Sequence, residues 1–317
     1  MCKDLRIVFM GSPPFANKAL TALVDAGHNV VAVVSAPPNR RGRGRHQADN
    51  SIVQFANKHE IPVLQPVSAK SKEFKEQFAQ IKCDLATVVS YGQILDKEFL
   101  RLPALGCVNV HASLLPRWRG ASPIQSAIKA GDTQSGVCIQ KMVLELDAGD
   151  VLCSSEIMLD QESTTPWLFD ECAQKGAELL CDFIGGVARS GQLPEGYPQD
   201  EGLVTLCSKV RKQEGKIDWQ HSAEDVYRQV RGNLGWPGAF TCLPNGDNLK
   251  IHEARLDNDH QSDGAAASVS IEDNQRVFVN CSTGAIELLT VQRAGKAKVS
   301  AREFLNGATL KTNDRLG

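Results

Sequence analysis

At 317 residues, 42% of them apolar and 23% charged, the chain is long enough for two domains. That composition excludes wholesale disorder, collagen-like repeats and polar low-complexity sequence. Basic and acidic side chains nearly balance at a formal net charge of −2, so no global cationic excess announces a nucleic-acid partner; a local patch would have to hold one. No run approaches the roughly 18 apolar residues of a membrane span. Asp4 and Arg6 stand where a secretory signal would be apolar. The ten cysteines are scattered without any Cys-x-x-Cys pair, so reduced, buried thiols in a cytoplasmic protein are expected, and no metal site.

Residues 5–10 read as a buried strand, followed by a turn at 11–14 and helical apolar spacing from Phe15 to Val24, ending at Gly27. A strand over 29–34, a helix over 51–59, a short strand at 61–64, a helix over 69–80 and a strand over 85–90 follow. Strands alternating with helices of this length predict βαβ units: an α/β fold with a mostly parallel sheet and helices on both faces. Ligands of such sheets sit beyond the carboxyl ends of the strands, so loops after strands are the expected site. Further strands are predicted at 137–146 and 151–159, then a long helix over 166–189. A stretch rich in Gly and Pro at 190–198 reads as the start of a linker. Beyond residue 208 a helix near 222–230 and β-like runs at 249–252, 276–281 and 286–291 predict a smaller β-rich domain. The predicted division is 1–189, a linker at 190–207, and 208–317.

Three constellations could carry chemistry. In an extended segment residues two apart share a face, so Asn109 and His111 place an amide donor beside a base that titrates near neutrality. That pair suits acyl transfer, the amide stabilising a developing oxyanion and the imidazole managing a proton. The competing reading is a polar strand end bonded to nearby backbone. Residues 146–150 (Leu-Asp-Ala-Gly-Asp) read as a capped turn, of catalytic interest only if Asp147 reaches His111, where it would orient the imidazole and stabilise its protonated form. The third is the loop carrying Arg40, Arg41, Arg43 and Arg45 with interspersed glycines. It is a solvated loop or a phosphate-binding arm, since guanidinium forks match phosphate oxygens. The turn at 11–16 lacks Gly-x-Gly-x-x-Gly, and no Walker A, His-x-x-x-His or Gly-x-Ser-x-Gly occurs.

The run from Asn109 through His111, Ser113, Leu114, Leu115 and Pro116 to Ile124, with the later Asp147-Ala148-Gly149-Asp150, resembles the signature of the folate-dependent formyltransferases. The likeness extends to Met10–Pro13, the Gly42-Arg43-Gly44 loop, Tyr91–Ile94, Ile217–Trp219 and Trp236–Gly238, nearly the whole chain. It implies a Rossmann-like catalytic domain followed by a β-barrel (OB-like) domain that helps to hold tRNA. It implies transfer of the formyl group of 10-formyltetrahydrofolate to the α-amino group of methionyl initiator tRNA; that chemistry requires no metal, and a monomer is expected. By motif match Asn109, His111 and Asp147 are catalytic. Ser113, Leu114, Leu115 and Pro116 line the folate site, with Tyr91, Gly92, Gln93 and Ile94 near it, and Arg40, Arg41, Arg43 and Arg45 approach the tRNA. The chain departs from the family pattern at Pro14, at Asp96 and at residues 38–40. Within the superfamily the rivals act on glycinamide ribonucleotide or sugar nucleotides, or hydrolyse 10-formyltetrahydrofolate. Outside it the rival is an RNA-binding protein on a dead scaffold.

Overall fold

The computed structural model describes residues 4–41, 46–257, 264–273, 275–307 and 310–317, with backbone alone at 39–41 and 46–48. The chain divides into two compact units. The first comprises 1–123, 134–158 and 169–207, and the second 124–133, 159–168 and 208–317.

The first unit opens with β1 (Ile7–Gly11), α1 (Ala16–Asp25) and β2 (Val30–Val34). A short hairpin of β3 (Asn39–Arg41) and β4 (His46–Ala48) comes next. Then follow α2 (Ser51–Lys58), β5 (Val63–Leu64), α3 (Lys72–Gln80), β6 (Leu85–Val89), β7 (Cys107–His111) and β8 (Arg119–Gly120). α4 (Pro123–Ala130) belongs from Ile124 onward to the second unit. The chain then continues through β9 (Gln134–Lys141), β10 (Val151–Met158), α5 (Thr165–Ser190) and β11 (Leu206–Cys207). The seven-stranded sheet has the order β10-β9-β7-β6-β1-β2-β5. β5, β2, β1, β6 and β7 run parallel, whereas β9 pairs antiparallel with both β7 and β10. Strand order reverses between β1 and β6, the switch point where open sheets of this kind take ligands.

Both faces of the sheet are covered, which explains why its strands read as continuous apolar runs. On one face Val8, Met10, Ala32, Val34, Ala86 and Val88 pack with Phe74 and Phe78 of α3 and with Phe99. On the other, Gly176 of α5 closes on Val110 and Val137. Asn50 and Ser71 cap α2 and α3 by accepting backbone N–H bonds.

In the second unit α6 (Ala223–Gly232) precedes β12 (Ala239–Cys242), β13 (Asn248–Leu256), β14 (Val269–Glu272), β15 (Arg276–Asn280), β16 (Ala285–Arg293), β17 (Val299–Ser300) and α7 (Ala301–Gly307). The antiparallel sheet runs β12-β13-β16-β15-β14, with β17 on β16. Its last residues tie the two edge strands. Asn313 and Leu316 donate to the carbonyls of Val269 and Ala267, and Gly317 donates to that of Cys242. This curls the sheet toward a barrel around Trp219, Val226, Ile251, Val279 and Val291. The segment 159–168 of this unit docks on α6: Arg231 Nη1 donates to the Ser163 carbonyl and Thr165 Oγ1 to that of Gly232.

The strand predicted over 137–146 ends at Lys141, where Lys141 N bonds Asp150 O and residues 143–146 leave the sheet as an exposed loop. The stretch at 190–207 packs with the first unit: Tyr197 forms a β-bridge with Val151, and β11 pairs in parallel with β8. α4, α7, β12 and β14, four to eight residues each, lie outside the predicted elements. The nine described cysteines are free thiols. Among the described residues no helix is long and apolar enough to cross a membrane.

Candidate active site

Asn109 and His111 lie on β7 two residues apart and so share a face of the sheet, the one opposite α5. Antiparallel register sets Gln140 of β9 beside Asn109 and Cys138 beside His111. His111 is 6% exposed, and its Nε2 lies 2.9 Å from the carbonyl oxygen of Trp118. A carbonyl only accepts, so Nε2 carries the hydrogen and the neutral ring presents Nδ1 as a lone pair. Nδ1 stands 3.7 Å from Asp147 Oδ1, an ion-pair separation too long for a hydrogen bond. The structure thus brings His111 and Asp147 together, but the Trp118 carbonyl, not Asp147, orients the ring.

Asp147 holds a left-handed backbone conformation (φ 51°). Its Oδ2 accepts from Gly120 N at 3.0 Å and its Oδ1 from Gln140 Nε2 at 2.8 Å. Gly149, two residues on, is obligatory, because a methyl group there would lie 1.7 Å from the Lys141 carbonyl oxygen. Among the described residues nothing hydrogen-bonds the Asn109 side chain, which leaves an amide free to donate. Gln140 Oε1 is likewise buried without a partner.

The loop after β7 turns back through a cis Leu115–Pro116 peptide, and Ser113 Oγ donates to the Arg117 carbonyl at 2.6 Å. Trp118, at φ 62°, donates its N–H to Thr205 Oγ1 at 2.8 Å, and the Arg117 guanidinium lies 4.5 Å from its ring centroid. Tyr91 to Ile94 follow β6, the strand beside β7, so the predicted folate residues of both loops and the predicted catalytic residues gather at one edge of the sheet. The Tyr91 ring is buried, its hydroxyl has no partner, and burial pushes its pKa up to about 12. Gly92 takes φ 80°, Gln93 Oε1 accepts from Ala69 N at 2.7 Å, and Ile94 is exposed. Ser12 Oγ donates to the Tyr91 carbonyl, joining the ends of β1 and β6 across the switch point. Arg40 and Arg41 lie on β3, with side chains outside the described residues, as Arg43 and Arg45 are entirely. Three contributors escaped the sequence reading: the Trp118 carbonyl, the Gly120 amide and Gln140. Only Gln140, a polar residue inside an apolar strand, left a local trace.

A free amide donor, an imidazole lone pair and a carboxylate at the carboxyl edge of a parallel sheet define a site suited to acyl transfer onto an amine. Residues 5–184 match the family described as formyl transferase, and 209–309 match its C-terminal domain; the chain belongs to the formyl transferase family. It is 44% identical to the methionyl-tRNA formyltransferase of Roseobacter denitrificans, over 97% of each chain. It is 42% identical to the methionyl-tRNA formyltransferase of Methylococcus capsulatus, over 99% of this chain and 100% of the relative. Its fold resembles that of the N-formyltransferase from Helicobacter canadensis, solved with folinic acid and dTDP-3-aminofucose. That match has a TM-score of 0.65 and 16% identity, and it covers 92% of this chain and 99% of the other.

Proposed function

We propose that the protein transfers the formyl group of 10-formyltetrahydrofolate to the α-amino group of methionyl initiator tRNA in the cytoplasm. The observation that carries this reading is the unpartnered Asn109 amide beside His111 and Asp147. The near full-length relatives at 39–44% identity supply the substrate. Tyr91–Ile94 and Ser113–Pro116, which follow β6 and β7, would hold the folate.

Attack of an amine on a formyl carbon creates an oxyanion and leaves the nitrogen with a proton to lose. Asn109 donates to the oxyanion; one such donor contributes about 2.7–4 kcal/mol to the barrier. An α-amino group titrates near 8, so roughly a tenth of it is already neutral at pH 7. His111 Nδ1, its lone pair set by the Trp118 carbonyl, accepts the proton that nitrogen sheds and returns it to the folate N10 as the oxyanion collapses and the bond from the formyl carbon to N10 breaks, so that tetrahydrofolate leaves. Protonation turns the contact with Asp147 at 3.7 Å from a lone pair facing a carboxylate into an ion pair. Asp147 therefore stabilises the imidazolium. Positioned acid–base help of this kind contributes roughly 10²–10⁴-fold. The arginine loop at 40–45 adds cationic contacts for the tRNA within a first unit that carries a slight acidic excess.

The decisive experiment compares formylation of methionyl initiator tRNA with that of methionyl elongator tRNA. Preferential formylation of the initiator is expected. Formylation of neither, with turnover on a sugar-nucleotide amine or another small amine, would overturn the reading.

A further inference from the structure

We propose that Gln199 is a positioning residue that fastens the Asp147 turn to the strand orienting His111; the inference rests on the catalytic reading of Asp147 given above. Gln199 Nε2 donates to the Asp147 carbonyl at 2.8 Å and to the Gly149 carbonyl at 2.7 Å. Its Oε1 accepts from Arg119 Nε at 2.9 Å. Both amide hydrogens and the amide oxygen are thus engaged. The orientation is unique, because a flipped amide would set oxygen against two carbonyls and nitrogen against a guanidinium.

The partners lie on two different segments. Asp147 and Gly149 form the turn after β9. Arg119 belongs to β8, whose neighbouring Gly120 N–H holds Asp147 Oδ2 at 3.0 Å. Trp118, next to Arg119 on the other side, supplies the carbonyl that fixes the His111 tautomer. Gln199 therefore grips Asp147 by its backbone while Gly120 and Gln140 grip its carboxylate. An aspartate at φ 51° persists only where its surroundings over-determine it. Without Gln199 the turn keeps its carboxylate contacts and the Lys141–Asp150 bond at its base but loses the two bonds that hold the Asp147 and Gly149 carbonyls. The remaining purchase of Arg119, an ion pair with Glu201 at 2.7 Å, does not reach the turn.

Gln199 itself is partly exposed and outside the apolar cores, so its loss should disturb geometry more than stability. The test is single-turnover formylation of methionyl initiator tRNA by Gln199→Met, which keeps length and removes hydrogen bonding. Gln199→Glu, which sets an oxygen against both carbonyls, is the second variant and gives the same readout should the first not fold. Each is expected to lower kcat about 10- to 100-fold, with KM for the formyl donor within about twofold of wild type. On an Asp147→Asn background the same change is expected to cost less than about threefold, because a residue acting through Asp147 has little left to lose. Wild-type kcat, an effect confined to KM, or an equal loss on both backgrounds would overturn the proposal. Full turnover by Asp147→Asn alone would instead sink the site assignment beneath it.

Discussion

Gly120 is where chain conformation and site geometry meet, and Gly120→Ala tests the connection. A methyl group there would lie 2.1 Å from the Cys207 carbonyl oxygen, whereas real Cβ contacts stay beyond 3.0 Å, so β8 and β11 must separate by about 1 Å. The backbone φ of 124° compounds the strain. Separation stretches Arg119 N to Thr205 O (2.9 Å) and Ala121 N to Cys207 O (3.0 Å). Two backbone bonds at about 1 kcal/mol each, with about 1 kcal/mol for the conformation, give a stability loss of about 3 kcal/mol. The same displacement carries Gly120 N away from Asp147 Oδ2 and the Trp118 carbonyl away from His111 Nε2. A misplacement of about 1 Å costs on the order of 100-fold in rate, or about 2.7 kcal/mol of barrier. Urea unfolding and single-turnover formylation measure the two effects separately. Gly246→Ala is the control: φ is 85° but nothing lies within 4 Å, so about 1 kcal/mol of stability should go and turnover should not change. Turnover of Gly120→Ala within threefold of wild type, or an equal loss in Gly246→Ala, would refute the reasoning.

Asn109→Ala and His111→Ala should each lower kcat by at least about 100-fold while binding of the formyl donor, followed by fluorescence titration, stays near wild type. Near-normal turnover in either would remove its assignment. In the second unit, Glu287 is buried and accepts from Arg276 Nε at 2.9 Å and Arg255 Nη2 at 2.5 Å, and the Arg276 bond foremost holds its pKa below the usual carboxylate range. Its contribution is present above the ordinary carboxylate pKa and is lost as pH falls through the lowered one. Glu287→Gln should therefore destabilise the protein at pH 7 by about 1 kcal/mol, the guanidiniums being partly in solvent, and should match wild type in acid unfolding only once the pH has fallen below that lowered pKa. A difference that persists in acid would contradict the ion-pair origin. Arg43→Ala should weaken kcat/KM for tRNA and flatten its log–log salt dependence by about one phosphate contact; an unchanged slope would return the loop to a purely solvated role.

The fold was legible wherever one period dominated. β1, β2 and β6 are buried on both faces and read as unbroken apolar runs, and α5 showed its helical spacing over 26 residues. Legibility failed where an element is short or is defined by a distant partner. β8 and β11 have two residues each and exist only because they pair. The over-extended strand at 137–146 shows the converse failure: Val143, Leu144 and Leu146 continue the apolar pattern yet are exposed. The chain leaves the sheet there because Lys141 N has its partner at Asp150, and a hydrogen bond nine residues on has no signature in hydropathy.

At the site the division is sharper, and it separates what reacts from what orients. Asn109 and His111 could be paired from the sequence because a strand's twofold alternation is a local rule. The group that decides which imidazole nitrogen is basic is a main-chain carbonyl, and every residue has one. Only the left-handed turn at Trp118, fixed by Thr205 from far along the chain, aims that carbonyl at Nε2. A sequence reading naturally supplied Asp147 for the task, because a carboxylate behind a histidine is the familiar arrangement. The geometry reverses the order. With Nε2 committed to the carbonyl, Nδ1 and the carboxylate face each other, so in the proposed mechanism Asp147 acts on the charged form of the ring rather than on its orientation. A carboxylate in that role must be held firmly while the ring is neutral and attraction is weak. That requirement is met by Gly120, Gln140 and Gln199, donors from three separate segments of which two are amide side chains that no motif in this sequence marks.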